Sequence, residues 1–208
     1  MESQTVWRGS TMQDRATERR ERLVAAAYQL VGTEGAAAAT VRAVCREAQL
    51  SRNYFYENFT DREDLLRALA DRVAEEMREF VVAVPRTGGL YERVVAVFEA
   101  AANYLDADSR RVRIILREFV ADDTLREHAN RSIPGFFVLV AAHFADVLPE
   151  PVIDPSRPEK FTIGGIQIYG AVSATFLSWL EGRIDATRGE LARECADLVM
   201  AVFALPRR

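Results

Sequence analysis

Along almost the whole chain the apolar residues recur every three or four positions, and nowhere do they alternate long enough to build a β-hairpin. That spacing lines them up on one stripe of a helix, so the fold class is all-α. Leu23, Ala27, Leu30 and Val31 mark a first helix over residues 15–31, stopped by Gly32 and Gly35. Thr40 N-caps a short second helix with Val41, Val44, Cys45 and Ala48 on one face, and Ser51 caps a third that reaches Phe59. Thr60 and Glu63 have capping-box spacing before a long fourth helix over 61–84, whose buried stripe includes Leu65, Leu69, Val73, Met77 and Phe80. Pro85 and Gly88-Gly89 then break the chain.

Helical spacing resumes from Tyr91 to Leu105. Ser109 is placed to cap a helix that turns Val112, Ile115, Leu116, Phe119 and Val120 inward. Residues 125–148 form another segment, which Pro134-Gly135 should kink or split. A proline-rich loop over 149–158 precedes two last helices, 160–181 and 187–205. The expectation is about nine helices in three parts: a flexible arm (1–14), a helix-turn-helix domain (15–66) and a C-terminal bundle for ligand binding and dimerisation (67–208).

Bulk composition narrows the function classes. The net charge of −4 offers no global basic field, so any DNA contact must come from a local arrangement. Cys45 and Cys195, far apart in apolar helical patterns, read as reduced core thiols. No metal or cofactor site is expected. His128 and His143 stand fifteen apart with Pro134 between, and no phosphate-loop, nucleophile-elbow or dinucleotide glycine pattern occurs, so an enzyme is not expected. Residues 1–12 carry no apolar core of a secretory leader. The stretch 163–180 has the length of a membrane span, but its glycines and polar residues suit a protein interface better. A cytoplasmic protein with no membrane partner follows.

Two short helices joined by a tight turn and propped by a longer one make a helix-turn-helix, whose second short helix lies in the DNA major groove. Leu50, Phe55 and Phe59 can face inward. Arg52, Asn53, Tyr54, Tyr56 and Glu57 are left outward, a surface rich in groups that donate hydrogen bonds to phosphates or base edges. The local charges cancel, however, and a helical adaptor that binds protein through the same motif is the competing reading.

The run from Thr40 to Leu66 resembles the DNA-binding region of TetR-family regulators: a capping threonine, the Ala48-Gln49-Leu50-Ser51 turn, the Tyr54-Phe55-Tyr56-Glu57-Asn58-Phe59 recognition helix and the Arg62-Glu63-Asp64-Leu65-Leu66 entry to the fourth helix. The likeness covers about residues 15–70. It implies that Thr40, Arg42, Tyr56 and Arg62 contact phosphates, that Arg52, Asn53 and Tyr54 face base edges or nearby phosphates of a double-stranded operator, and that Ser51 is a further DNA-binding residue. It implies a regulator, with repression as the expected outcome. Gln49 stands where the family usually has glycine, so a left-handed turn falls on a residue with a Cβ. Asn53 and Tyr54 replace a small pair, so the operator cannot be carried over.

Helix 160–181 is apolar on nearly every side and must be covered on every side. A partner subunit is the expected cover, with Ile166, Val172, Leu177, Trp179, Leu198 and Val202 at the interface of a homodimer. Two recognition helices would then stand one DNA turn apart, roughly 34–36 Å. The aromatics of the bundle are either a plain packed core or the wall of a small-molecule effector pocket. For the second reading the candidates are Phe98, Asn103, Phe119, Phe137, Phe144, Tyr169, Ser173 and Phe176. Arg113, Glu118, His128, His143 and Gln167 are further polar candidates.

Overall fold

A computed structural model of the chain describes residues 12–148 and 158–203. Most of the expected arm and of the proline-rich loop therefore lies outside the described residues. Among the described residues every regular element is a helix and no strand occurs: α1 (Met12–Glu34), α2 (Val41–Glu47), α3 (Arg52–Asn58), α4 (Arg62–Ala83), α5 (Leu90–Asp106), α6 (Ser109–Arg113), α7 (Phe119–Ala121), α8 (Asp123–His143), α9 (Pro158–Leu180) and α10 (Arg188–Val202). A 3-10 turn, Ala36–Ala38, joins α1 to α2, and a π-helical segment, Ile114–Glu118, joins α6 to α7. With 109–121 counted as one rod, nine helices result, in agreement with the sequence.

The local signals act as the physical chemistry requires. Thr40 and Ser51 cap α2 and α3 by accepting the backbone N–H of Ala43 and Tyr54. Gly35 ends α1 with φ 101°, and Gln49 takes φ 53°, the left-handed turn expected of it. At α4 the cap is displaced by one residue. Asp61, not Thr60, is the N-cap and accepts from Asp64, while Thr60 donates its N–H to the Asp64 carboxylate. Likewise Asp108, not Ser109, caps α6. In both places a carboxylate competes with an adjacent hydroxyl and takes the position.

Two further expectations are corrected. Helix α8 runs unbroken through Pro134, which lies on its exposed face, where water can take the carbonyl that the missing N–H releases. Val120 is 54% exposed rather than inward, and Ile114 is fully buried. The π segment is the reason: its wider turn rotates every later side chain about the axis.

The core is continuous from Leu23 in α1 to Cys195 in α10 and includes Phe55, Leu65, Leu66, Leu69, Ile114, Leu125 and Phe176. The helix-turn-helix is thus bound to the bundle by apolar packing, with α1 against both α4 and the α6 end of the rod. Both cysteines are buried and free. Burial pushes the Cys195 thiol up to about 11.

Candidate nucleic-acid interface and interior cavity

Helix α3 divides as its spacing dictates. Phe55 is fully buried and Phe59 nearly so, the two rings 5.8 Å apart, which anchors the helix against α1 and α2. The opposite face carries Arg52 and Asn53, both exposed, with Tyr54 40% and Tyr56 60% exposed. Thr40, Arg42 and Ser51 lie exposed beside it. Seven of the eight expected DNA-facing residues are thus exposed.

Arg62 is the exception. Its guanidinium turns inward, donating to the Ala36 carbonyl at 2.7 Å and standing 3.5 Å from the Asp122 carboxylate. Its role here is to tie the α1–α2 connection to the start of α8. Arg19, which no sequence signal singled out, lies 4.7 Å over the Tyr54 ring and 4.0 Å from Glu57. It holds the exposed Tyr54 ring of α3 in place. Arg22 donates to the Ala48 carbonyl at 2.7 Å and fastens α1 to the turn.

Inside the bundle is a cavity of about 220 Å³. Its walls come from α4, α5, the π segment, α8, α9 and α10. Five expected lining residues are there: Phe98, Phe144, Tyr169, Ser173 and Phe176. Asn103 is not; it points to solvent, half a turn from Ala101 and Leu105, while Tyr104 lines the wall instead. Phe119 belongs to the packed core beyond the cavity. The Phe137 side chain lies outside the described residues, and its neighbour Phe136 is on the wall. Val172, expected at a subunit interface, falls with Ile168, Tyr169, Ser173 and Phe176 on the cavity stripe of α9. The opposite stripe leaves Ile163 and Ile166 exposed, the latter 61%. Leu177 and Trp179 are half-buried against the chain's own core, and the Trp179 indole donates to the Ala186 carbonyl. Leu198 and Val202 on α10 are half-buried.

The other polar candidates lie outside the cavity. Gln167 is exposed, His128 lies 2.8 Å from Asp71, and His143 is buried beside Phe144, its pKa lowered by burial and by Arg86. Arg113 and Glu118 do something the sequence did not suggest. The Glu118 carboxylate accepts the buried Ala36 N–H at 3.0 Å and the Arg113 side chain at 3.4 Å, while Arg113 donates to the Thr33 carbonyl. The π segment therefore touches the cavity through Ile115 and Leu116 and grips the α1–α2 connection through Glu118. Nearby, Tyr28 donates to Asp108, and Arg110 pairs with Asp108 at 2.7 Å. The arginine bond is the main reason that the Asp108 carboxyl falls to about 2. Burial, then Asp108, raises the Tyr28 phenol to about 12.

Among the described residues no three His, Cys, Asp or Glu side chains gather as a metal set. Helix α9 is long and apolar enough over Ile163–Leu180 to cross a membrane, by length and composition alone.

A three-helix module with one polar-aromatic recognition face, packed on a helical bundle, defines the class of helix-turn-helix DNA-binding transcription regulators. Residues 23–69 match the bacterial regulatory proteins of the tetR family, so this N-terminal domain belongs to that family. Solved structures extend the fold likeness over the chain. A tetR-family transcriptional regulator from Streptomyces coelicolor is 22% identical with a TM-score of 0.66, covering 90% of this chain and 82% of that one. The transcriptional regulator FadR from Bacillus subtilis, solved in complex with stearoyl-CoA, is 15% identical with a TM-score of 0.67 (86% and 96% covered). The multidrug binding protein EbrR, complexed with imidazole, is 20% identical with a TM-score of 0.62 (91% and 96% covered). No curated protein sequence matches the chain.

Proposed function

We propose that the protein is a cytoplasmic homodimeric repressor that holds a near-palindromic operator through α3 and is released from it by a small apolar or amphipathic effector in the bundle cavity. The observation that carries the reading is the π segment, which has the cavity on one side and the α1–α2 connection on the other. Thr40, Arg42 and Tyr56 hold phosphates and set the register; Arg52, Asn53 and Tyr54 face the bases, with Ser51 at the start of the helix. Arg62 is held inside and supports the module indirectly. The exposed α9 stripe around Ile166, with Leu177, Trp179, Leu198 and Val202 beside it, supports a twofold α9–α10 interface.

The switch is a population shift. An effector that fits best a conformation with wrongly spaced recognition helices must weaken DNA binding, by linkage. Selection of bound sequences from a random DNA pool tests the reading. One near-palindrome should be enriched. Tyr56→Phe should weaken binding uniformly across sequences, and Arg52→Ala should relax preference at particular bases by about 1–3 kcal/mol. Enrichment of no sequence would sink the regulator reading and favour an adaptor.

A further inference from the structure

The composition of the cavity wall is more selective than its shape. The described wall residues are aliphatic or aromatic apart from Met77 and Ser173, and the polar atoms among their side chains are the hydroxyls of Tyr104, Tyr169 and Ser173; none is ionisable in the neutral range. Tyr104 is already engaged: its O–H donates to Glu76 at 2.9 Å, and Arg111 covers its ring at 4.0 Å. The burial of Tyr104 and the Glu76 carboxylate keep that phenol protonated well above its ordinary range. Arg93, the buried cation of the bundle, is held by Asp146 at 2.9 Å and by the Gly88 carbonyl, and it does not reach the wall. One polar spot remains. Tyr169 donates to the Ile115 carbonyl over a long 3.4 Å, and Ser173, one turn further along α9, lines the same wall.

We propose, resting on the reading of this cavity as the effector site, that it receives an uncharged, hydrocarbon-rich ligand with a single hydroxyl or carbonyl at the Tyr169–Ser173 end, and that it rejects carboxylates and ammonium ions carried on the same chain. A charged head buried here would find no counter-ion among the described wall side chains, and such burial is strongly unfavourable. A neutral hydroxyl is different. It can accept from Tyr169 in place of the long bond to Ile115, so its cost is small. Volume sets the size. A dry apolar cavity of about 150 Å³ accommodates benzene, so the 220 Å³ here suits a chain or fused ring of about nine carbon atoms by simple scaling. The ligand hydroxyl would also compete for the Tyr169–Ile115 hydrogen bond, which joins α9 to the π segment. That places ligand recognition at the element that grips the DNA-binding module.

Three probes with one chain and three head groups test this on the full-length protein without DNA: 1-nonanol, nonanoate and nonylammonium, each below its aggregation concentration, read by calorimetric titration and by the shift in Tm. Nonanol should bind and raise Tm, and the two ions should bind at least ~100-fold more weakly. Equal or tighter binding of either ion, or binding of none of the three, overturns the proposal. Ser173→Leu, which fills the polar end, should abolish nonanol binding. Tyr169→Phe, a milder change, should weaken nonanol several-fold while leaving nonane unaffected. Nonanol binding unchanged in both variants would place the site elsewhere and equally overturn it. Operator affinity is measured separately: nonanol that binds without releasing DNA refutes the effector-controlled repressor and leaves the ligand class standing.

Discussion

Replacing Glu118 with alanine isolates the link between cavity and DNA-binding module. The wild-type carboxylate accepts the N–H of Ala36, a residue only 2% exposed, and its other oxygen receives Arg113. Removing it leaves a buried amide without a partner, which costs about 1–3 kcal/mol. The Arg113 guanidinium is about a third exposed and regains water, so its loss adds little. We therefore expect Glu118→Ala to destabilise the fold by about 2 kcal/mol, or a fall in Tm of about 4–8 °C for a chain of this size. Glu118→Gln keeps an acceptor for Ala36 but loses the charge, and should cost about half as much. Urea unfolding followed by circular dichroism, at one fixed protein concentration because a dimer's stability depends on it, measures both. Operator binding by fluorescence anisotropy completes the assay. With the grip lost, effector should no longer change operator affinity, while the isolated affinity for effector stays within a few-fold. A loss below about 0.5 kcal/mol, with the effector response intact, would refute the argument that the π segment holds the α1–α2 connection.

Two other perturbations follow from local geometry. Gln49→Gly relieves a left-handed backbone that costs a side-chain-bearing residue about 1 kcal/mol, but it also loosens the unfolded chain by about 0.4–1 kcal/mol, so the net gain should be at most a few tenths; a loss beyond about 1 kcal/mol in the same urea assay would mean that the Gln49 side chain has a structural partner. Asp108 has a folded pKa of about 2, below its unfolded value of about 3.9, so its contribution is fully present above about pH 4 and is lost as pH falls toward 2. Asp108→Asn should therefore cost about 1–2 kcal/mol at pH 7 and only a small fraction of that near pH 2, and a penalty independent of pH over that range would show that the charge is irrelevant.

Much of the candidate DNA interface was legible in advance because it is local. The caps at Thr40 and Ser51, the left-handed Gln49 and the buried Phe55 and Phe59 all depend on residues within one helical turn of each other. The apolar cavity was legible in kind, through the aromatics of the bundle, and half legible in residue. Phe98, Tyr169 and Phe176 lie on its wall, whereas Asn103 points to solvent and Val172, expected at a subunit interface, lies on the wall as well. A helix advances about 100° per residue, so a face assigned without knowing which neighbour packs where is easily misplaced by a residue or two.

The sequence by itself determined the all-helical class, the helix-turn-helix and the polar-aromatic face of α3, since periodicity, caps and turn residues act over four positions or fewer. Only the tertiary structure decided that Arg62 turns inward to Ala36 and Asp122, that Glu118 holds a backbone N–H 82 positions away, and that a π turn rotates Val120 out to solvent. Those bonds join groups far apart in the chain. Their existence depends on how whole helices pack, and packing is settled by the summed burial of all the faces rather than by any local run of residues.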